Sequence, residues 1–225
     1  MFVLPTRRRI TFGSNVNIVC DGNSLTYGIG GTAYPSQLAG KSPLTGGETI
    51  TNVGVNGQTT ADMTSTHSDV DAAWDAGKTN ILVAWEGTNS IANIGRTAAQ
   101  AKSDLEAYIT AVSAVHPWIV IIGTTISCQT HDGESQTIAL NAVIDDYNTL
   151  LRANYRAMGA TALFEVRYPG NPFTPADYTN ASFETMATTT GVWADGETGG
   201  HVHLNTAGYL IIANLVAATL RRVSP

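Results

Sequence analysis

Charged residues are scarce in this sequence, and basic residues are scarcer than acidic ones. Only 13% of the 225 residues are charged, and 12 basic against 18 acidic side chains give a formal net charge of −6. A protein that binds nucleic acid or an anionic membrane surface needs a basic face, because contacts with phosphate supply much of the affinity. The composition therefore argues against partners of both kinds.

Cysteine and long apolar runs are also nearly absent. Cys20 and Cys128 each come at the end of an apparent buried strand, which favours two buried thiols over a disulfide. No run approaches the roughly 18 consecutive apolar residues of a membrane-spanning helix, so no span is expected. The first residues lack the apolar core and cleavage site of a secretory signal, which leaves a cytoplasmic location as the default expectation.

Short apolar runs alternate with segments of helical periodicity along the whole chain. Helical spacing predicts helices over 97–115, 137–158 and 206–221, with Thr97 and Gln100 as a capping box, Asn205 as an N-cap and Gly159 as a C-cap. This alternation predicts a parallel sheet of five strands covered on both faces, in a single domain over residues 1–225 with an N-terminal extension at 1–14. The five runs typical of buried strands are 16–20, 49–53, 80–85, 118–124 and 162–166.

Two segments do not fit regular structure. Residues 28–47 are rich in Gly, Ser and Thr, with a possible short helix near 34–38, and residues 167–200 form a long segment rich in Pro and Gly. Long loops in compact domains are usually functional or mobile. The aromatic side chains of the second segment either wall a substrate cleft or only pin the loop to the domain, and both readings stay open. They are Tyr168, Phe173, Tyr178, Phe183 and Trp193.

Ser24 is a candidate nucleophile because of its position after the first predicted strand. Asp21-Gly22-Asn23 interrupts that strand just before it, and ligands of open α/β sheets bind at the carboxyl ends of the strands. A serine hydroxyl is a weak nucleophile, so the chain must also supply a base and donors for an oxyanion. We therefore look for these groups at the other strand ends.

The chain offers candidates for both the base and the oxyanion donors. Gly54 follows the second strand, where its N–H could point into a site, and Asn89 follows the third, where its amide could donate to an oxyanion; each could equally serve only a turn or a helix cap. His203 directly precedes the last helix and is the candidate general base. His201 and His203 could also share a metal ion, but no third ligand has suitable spacing and no metal is expected.

The joint order of these residues resembles the SGNH, or GDSL-type, hydrolase family, which is named for its serine, glycine, asparagine and histidine. The matching blocks are Asp21 to Thr26, Asn52 to Gly57, Gly87 to Asn89 and His203 to Asn205. The resemblance implies a flavodoxin-like, three-layer α/β/α fold with Ser24 as nucleophile and His203 as base. It also implies an oxyanion hole from the N–H groups of Ser24 and Gly54 and the side chain of Asn89, with no metal or organic cofactor.

The chain departs from the family pattern at three positions. Asn23 and Ser90 stand where the family usually has aspartate, and we expect Asn23 to be structural because it keeps an acceptor oxygen. Gly200 stands where the family usually has the acid that orients the histidine. Asp195 is the favoured replacement, and Glu197 or a backbone carbonyl are the alternatives.

The resulting hypothesis is a serine esterase that acts through an acyl-enzyme and removes short acyl groups such as acetyl, with a carbohydrate ester or another small-molecule ester as substrate. The missing aspartate motivates an alternative, a glycan-binding module of the same fold with weakened catalysis. A flavodoxin-like cofactor binder is less favoured, because the loop after the first strand lacks a phosphate-cradling sequence.

Overall fold

The computed structural model describes residues 10–129, 134–167, 172–175, 177–179, 182, 186, 190–194 and 202–223. Its sheet contains five parallel strands in the order β2-β1-β3-β4-β5, the order of flavodoxin-like folds. Each strand lies in one of the five predicted runs or extends it by one or two residues, so the predicted sheet is confirmed. The strands are β1 (Val16–Gly22), β2 (Thr49–Asn52), β3 (Thr79–Trp85), β4 (Ile119–Gly123) and β5 (Ala162–Phe164).

The three predicted long helices are present. They are α5 (Ala98–Val115), α6 (Glu134–Asn154) and α7 (Thr206–Val223). The capping box of Thr97 and Gln100 forms as predicted, and Asn205 Oδ1 accepts the N–H groups of Ala207 and Gly208 at 2.9 and 3.1 Å. The predicted end of α6 at 158 is four residues too late, because the chain leaves the helix at Asn154 before Gly159 takes a left-handed φ of 92°.

Four short helices are not predicted by the sequence pattern, because each is too short to show a helical repeat. They are α1 (Ser24–Tyr27), α2 (Thr60–Thr66), α3 (Ser68–Ala72) and α4 (Thr88–Ala92). The short helix expected near 34–38 is present as a 3₁₀ helix over Pro35–Gln37. Two of the four short helices carry a capping signal: Thr59 and Asp62 form a capping box at the start of α2, and Asn23 caps α1.

Strand residues alternate between two cores, one on each face of the sheet. Ile18, Ile81 and Ile121 pack on the side of α7, whereas Val19, Leu82 and Val120 pack on the side of α5 and α6. The arrangement is the expected α/β/α sandwich. Cys20 and Cys128 are buried and unpaired, as expected. Within the described ranges, every helix is too short or too polar to cross a bilayer.

Three aromatic side chains in the described part of the segment after β5 pack against the rest of the domain. Phe173 and Trp193 are buried in the α7-side core and meet edge to face. Tyr178 donates to Asp145 Oδ2 at 2.9 Å, and its ring lies under the guanidinium of Arg167. For these three aromatics the structure favours the pinning role over a cleft wall. Tyr168 and Phe183 lie outside the described residues.

Candidate active site

Strand order brings three of the four predicted blocks together. β1 is flanked by β2 and β3, and all three strands run in the same direction, so the loops that follow them share one edge of the sheet. The loop after β1 carries Ser24, the loop after β2 carries the glycines, and the loop after β3 carries Asn89. Ser24 therefore stands at the middle of this edge.

A tight turn presents Ser24 at the start of α1. Asn23 caps this helix, since its Oδ1 accepts the Leu25 N–H at 2.9 Å. Gly28 ends the helix with a left-handed φ of 103°, and its N–H donates to the carbonyl of Ser24. Asparagine thus performs the structural role expected for it at position 23.

The segment that carries His203 docks against the loop after α1. Its neighbours pair with residues 192–194, because the Ala194 N–H donates to the His203 carbonyl at 3.2 Å. Gly30 makes the close approach possible: a Cβ built on it would stand 2.7 Å from the Cβ of Ala194 and 2.9 Å from the carbonyl oxygen of Leu204. The Tyr209 hydroxyl anchors α7 to the same loop by donating to the Ile29 carbonyl at 2.7 Å.

This docking brings together two side chains that are 179 residues apart in the sequence. His203 Nε2 lies 2.9 Å from Ser24 Oγ, which is hydrogen-bond distance for a nucleophile and its base. Ser24 is only 4% exposed. Asp195 and Glu197, the candidate acids, lie outside the described residues, as do Gly200 and His201.

Asn89 lies in the first turn of α4, which follows β3. Its Nδ2 donates to the carbonyl of Gln58 at 3.0 Å, and its backbone N–H donates to Glu86 Oε1 at 2.9 Å. An amide nitrogen carries two hydrogens, so the bond to Gln58 orients the group and leaves one hydrogen for another acceptor. Asn89 is 8% exposed.

The two glycines of the second block differ in what their N–H groups do. The Gly54 N–H donates to Asn52 Oδ1 at 3.0 Å, so in this structure it already has an acceptor. Gly54 instead provides close packing, because a Cβ there would stand 2.8 Å from Thr26 Cβ. The Gly57 N–H has no acceptor within the described residues, and its φ of 81° lies in the left-handed region that favours glycine.

Two buried carboxyl groups surround the nucleophile turn, and sequence reasoning singled out neither. Asp21 accepts the Tyr108 hydroxyl at 2.6 Å and the Gly22 N–H at 2.8 Å, yet burial raises its pKa to about 6. Burial also raises the pKa of Glu86, against the lowering effect of its hydrogen bonds. The described residues contain no group of three His, Cys, Asp or Glu side chains that could hold a metal ion.

Comparisons with known proteins give one family match and several solved structures of similar fold. The profile of the GDSL-like lipase/acylhydrolase family matches residues 20–211, whereas no curated protein sequence matches the chain. Similar solved structures include a GDSL-family lipolytic protein from Veillonella parvula, with 21% identity, a TM-score of 0.64, and coverage of 92% of this chain and 99% of that one. A catalytic mutant of Axe2, an acetylxylan esterase from Geobacillus stearothermophilus, has 15% identity and a TM-score of 0.62, with coverage of 96% of this chain and 97% of that one. A family 3 carbohydrate esterase from Clostridium thermocellum has 16% identity and a TM-score of 0.58, with coverage of 93% of this chain and 98% of that one.

Proposed function

The chain belongs to the GDSL-like lipase/acylhydrolase family and is a carboxylic ester hydrolase, and we propose that Ser24 is its nucleophile and that the reaction passes through an acyl-enzyme. The observation that carries this proposal is the 2.9 Å distance between Ser24 Oγ and His203 Nε2. It supports direct proton transfer between the two groups.

In the proposed first step, His203 Nε2 takes the proton of Ser24 while Oγ attacks the ester carbonyl carbon. The tetrahedral intermediate collapses, and the alcohol leaves with the proton from His203. Water then attacks the acyl-serine, with His203 again taking a proton and returning it to Ser24 Oγ as the carboxylic acid leaves. These two steps require His203 to start as a neutral imidazole with its hydrogen on Nδ1.

We assign the oxyanion hole to the Ser24 N–H, the Gly57 N–H and the Asn89 side chain. Gly57 replaces Gly54 in this assignment because its N–H has no acceptor within the described residues, whereas that of Gly54 is bonded to Asn52. The next residue, Gln58, accepts the Asn89 amide, which ties the two proposed donors together. Donors fixed before the reaction stabilise the oxyanion without reorganisation.

For the third member of the triad, we propose Asp195. Ala194, which precedes it in the sequence, donates its N–H to the His203 carbonyl at 3.2 Å. A carboxylate there would fix the required tautomer and stabilise the imidazolium that forms during attack.

We further propose that the substrate is a short-chain ester, with acetyl groups on a carbohydrate as the favoured class. The carbohydrate esterases among the structural neighbours support this class. On the chain itself, Tyr27 is 55% exposed only three residues after Ser24. An exposed aromatic ring at this distance could stack on a sugar, since the apolar body of a tyrosine suits such a surface.

The test measures hydrolysis of p-nitrophenyl acetate, butyrate and octanoate by the wild-type chain and by Ser24→Ala, with acetylated xylan as a second substrate. We expect the highest kcat/KM on acetate, and a loss of activity together with loss of fluorophosphonate labelling in the variant. Unchanged activity of Ser24→Ala would remove Ser24 from the mechanism. A preference for octanoate would contradict the short-chain proposal alone.

A further inference from the structure

Glu86 is a buried carboxylate on which several parts of the active-site edge converge. It directly follows β3 and is 2% exposed. Its Oε1 accepts the backbone N–H groups of Asn89 and Ser90 at 2.9 and 3.2 Å, and the Asn23 amide at 3.4 Å. Its Oε2 accepts the hydroxyls of Thr60 and Ser90 at 2.6 and 2.8 Å. Five donors fill the roughly four acceptor sites of a carboxylate, so Glu86 has no free lone pair for a substrate.

The donors come from three segments of the proposed site. Asn23 caps the turn that presents Ser24, and Asn89 is the proposed side-chain donor of the oxyanion hole. Thr60 begins α2, two residues after Gln58, which accepts the Asn89 amide. One carboxylate thus connects the serine block, the asparagine block and the start of α2.

Two of the residues that donate to Glu86 stand at positions where the chain departs from the family. Asn23 and Ser90 stand where the family usually has aspartate, and the side chains of both donate to Glu86. An aspartate at either position would place a second carboxylate against Glu86 in a buried site, where two like charges so close together cannot both ionise without a large cost. The neutral residues at 23 and 90 and the carboxylate at 86 therefore form a matched set.

We propose that Glu86 is the positioning residue of this active site. Its carboxylate holds Asn23, Asn89 and the start of α2 in place, and residues 23 and 90 are neutral so that Glu86 is the only carboxylate among these four groups. The inference rests on the proposed function, because it assigns Glu86 an effect through Ser24 and Asn89. Glu86 itself does not contact the substrate.

The first test compares Glu86→Gln with wild type in kcat, KM and fluorophosphonate labelling rate. A neutral amide accepts weaker hydrogen bonds than a carboxylate, so we expect kcat and the labelling rate to fall about tenfold, with KM within about threefold, as the reacting groups lose their alignment. Asn80→Asp is the matched control. Asn80 is a buried hydrogen-bonding residue on the same strand but near its opposite end, so this variant should lower Tm without changing kcat.

The second test works even if Glu86→Gln fails to fold. Ser90→Asp adds a charge beside Glu86, and Ser90→Asn adds the same volume without the charge. We expect kcat of Ser90→Asp to be at least about tenfold below that of Ser90→Asn. The double variant Ser90→Asp with Glu86→Gln should recover part of that loss, because it returns the site to one carboxylate.

Equal kcat for Ser90→Asp and Ser90→Asn would overturn the inference, as would a Glu86→Gln enzyme of normal kcat and lowered Tm. Equal losses of kcat in Glu86→Gln and Asn80→Asp would also overturn it, because both would then reflect general destabilisation. Failure of the proposed function is recognised separately, since Ser24→Ala would then keep its activity whatever the variants at 86 and 90 do.

Discussion

Gly31 lies so close to Asn205 that a Cβ on Gly31 would stand 2.6 Å from the Asn205 carbonyl carbon and 3.0 Å from its Cα. The contact joins the loop after the nucleophile to the start of α7, and His203 lies two residues before Asn205. The absence of a side chain at residue 31 therefore sets how close the base can come to Ser24.

We expect Gly31→Ala to push the two segments apart. Overpacking of this kind typically costs about 1–3 kcal/mol of stability, and a misplacement of about 1 Å between reacting groups can cost about 100-fold in rate. The measurement is kcat together with urea unfolding. Gly47→Ala is the control, because its Cβ would meet the nearest atom at 3.4 Å, an ordinary contact. Full activity of Gly31→Ala would show that the docking tolerates a methyl group.

Asn89→Ala tests the proposed oxyanion hole. Loss of one side-chain donor to an oxyanion costs about 10²–10³ in kcat, and we expect a fall of that size with little change in KM, because the donor acts mainly in the transition state. Gln58 would keep an unbonded carbonyl, so Tm should also fall slightly. A kcat within about twofold of wild type would remove Asn89 from the oxyanion hole.

The identity of the acid is tested by Asp195→Asn against Glu197→Gln. Removing the carboxylate that orients a catalytic histidine lowers kcat by about 10⁴ in a protease. We expect a loss of about 10²–10⁴ for Asp195→Asn and almost none for Glu197→Gln. The reverse order would move the role to Glu197, and near-normal kcat in both would favour a serine and histidine supported by a backbone carbonyl.

The sheet and the long helices were predictable because burial and capping leave direct traces in a sequence. Strands such as β1 and β3 are covered on both faces, so they are continuous apolar runs, and Thr97 and Asn205 mark where helices begin. The meeting of Ser24 with His203 followed from the order of the motifs. The four short helices had no periodicity to reveal them.

The hydrogen bonds within the site were less accessible from the sequence. Gly54 and Gly57 lie in one short block, and only the structure shows that the Asn52 side chain occupies the N–H of Gly54. Glu86 gave no signal by itself, because an acidic residue after a strand is usually solvent-exposed. The usable clue was indirect: neutral residues at 23 and 90, with a carboxylate nearby at 86.

Tyr27→Ala tests the proposed carbohydrate platform. If the exposed ring stacks on the sugar, the variant should raise KM for acetylated xylo-oligosaccharides several-fold, because an aromatic contact contributes about 1 kcal/mol to binding. Hydrolysis of p-nitrophenyl acetate should stay unchanged. Val55→Ala, at another exposed apolar residue near the site, provides a comparison. Equal effects of Tyr27→Ala on both substrates would show that the ring does not distinguish a sugar.

Asp21 should make stability depend on pH. Burial raises its pKa from 3.8 to about 6 in the folded protein, so the folded state holds this proton more tightly than the unfolded state does. The stabilisation is therefore fully present below about pH 4 and is lost as the pH rises through about 6, by up to about 3 kcal/mol for a shift of this size. Asp21→Asn cannot lose a proton there.

The measurement is urea unfolding of wild type and Asp21→Asn between pH 4 and pH 7. We expect the free energy of unfolding of wild type, relative to the variant, to decrease across this range. Tyr108→Phe sharpens the test: the Tyr108 hydroxyl donates to Asp21 and lowers its pKa, so its removal should raise that pKa and extend the decrease to higher pH. A difference between wild type and Asp21→Asn that stays constant from pH 4 to pH 7 would mean that Asp21 titrates alike in the folded and unfolded chains.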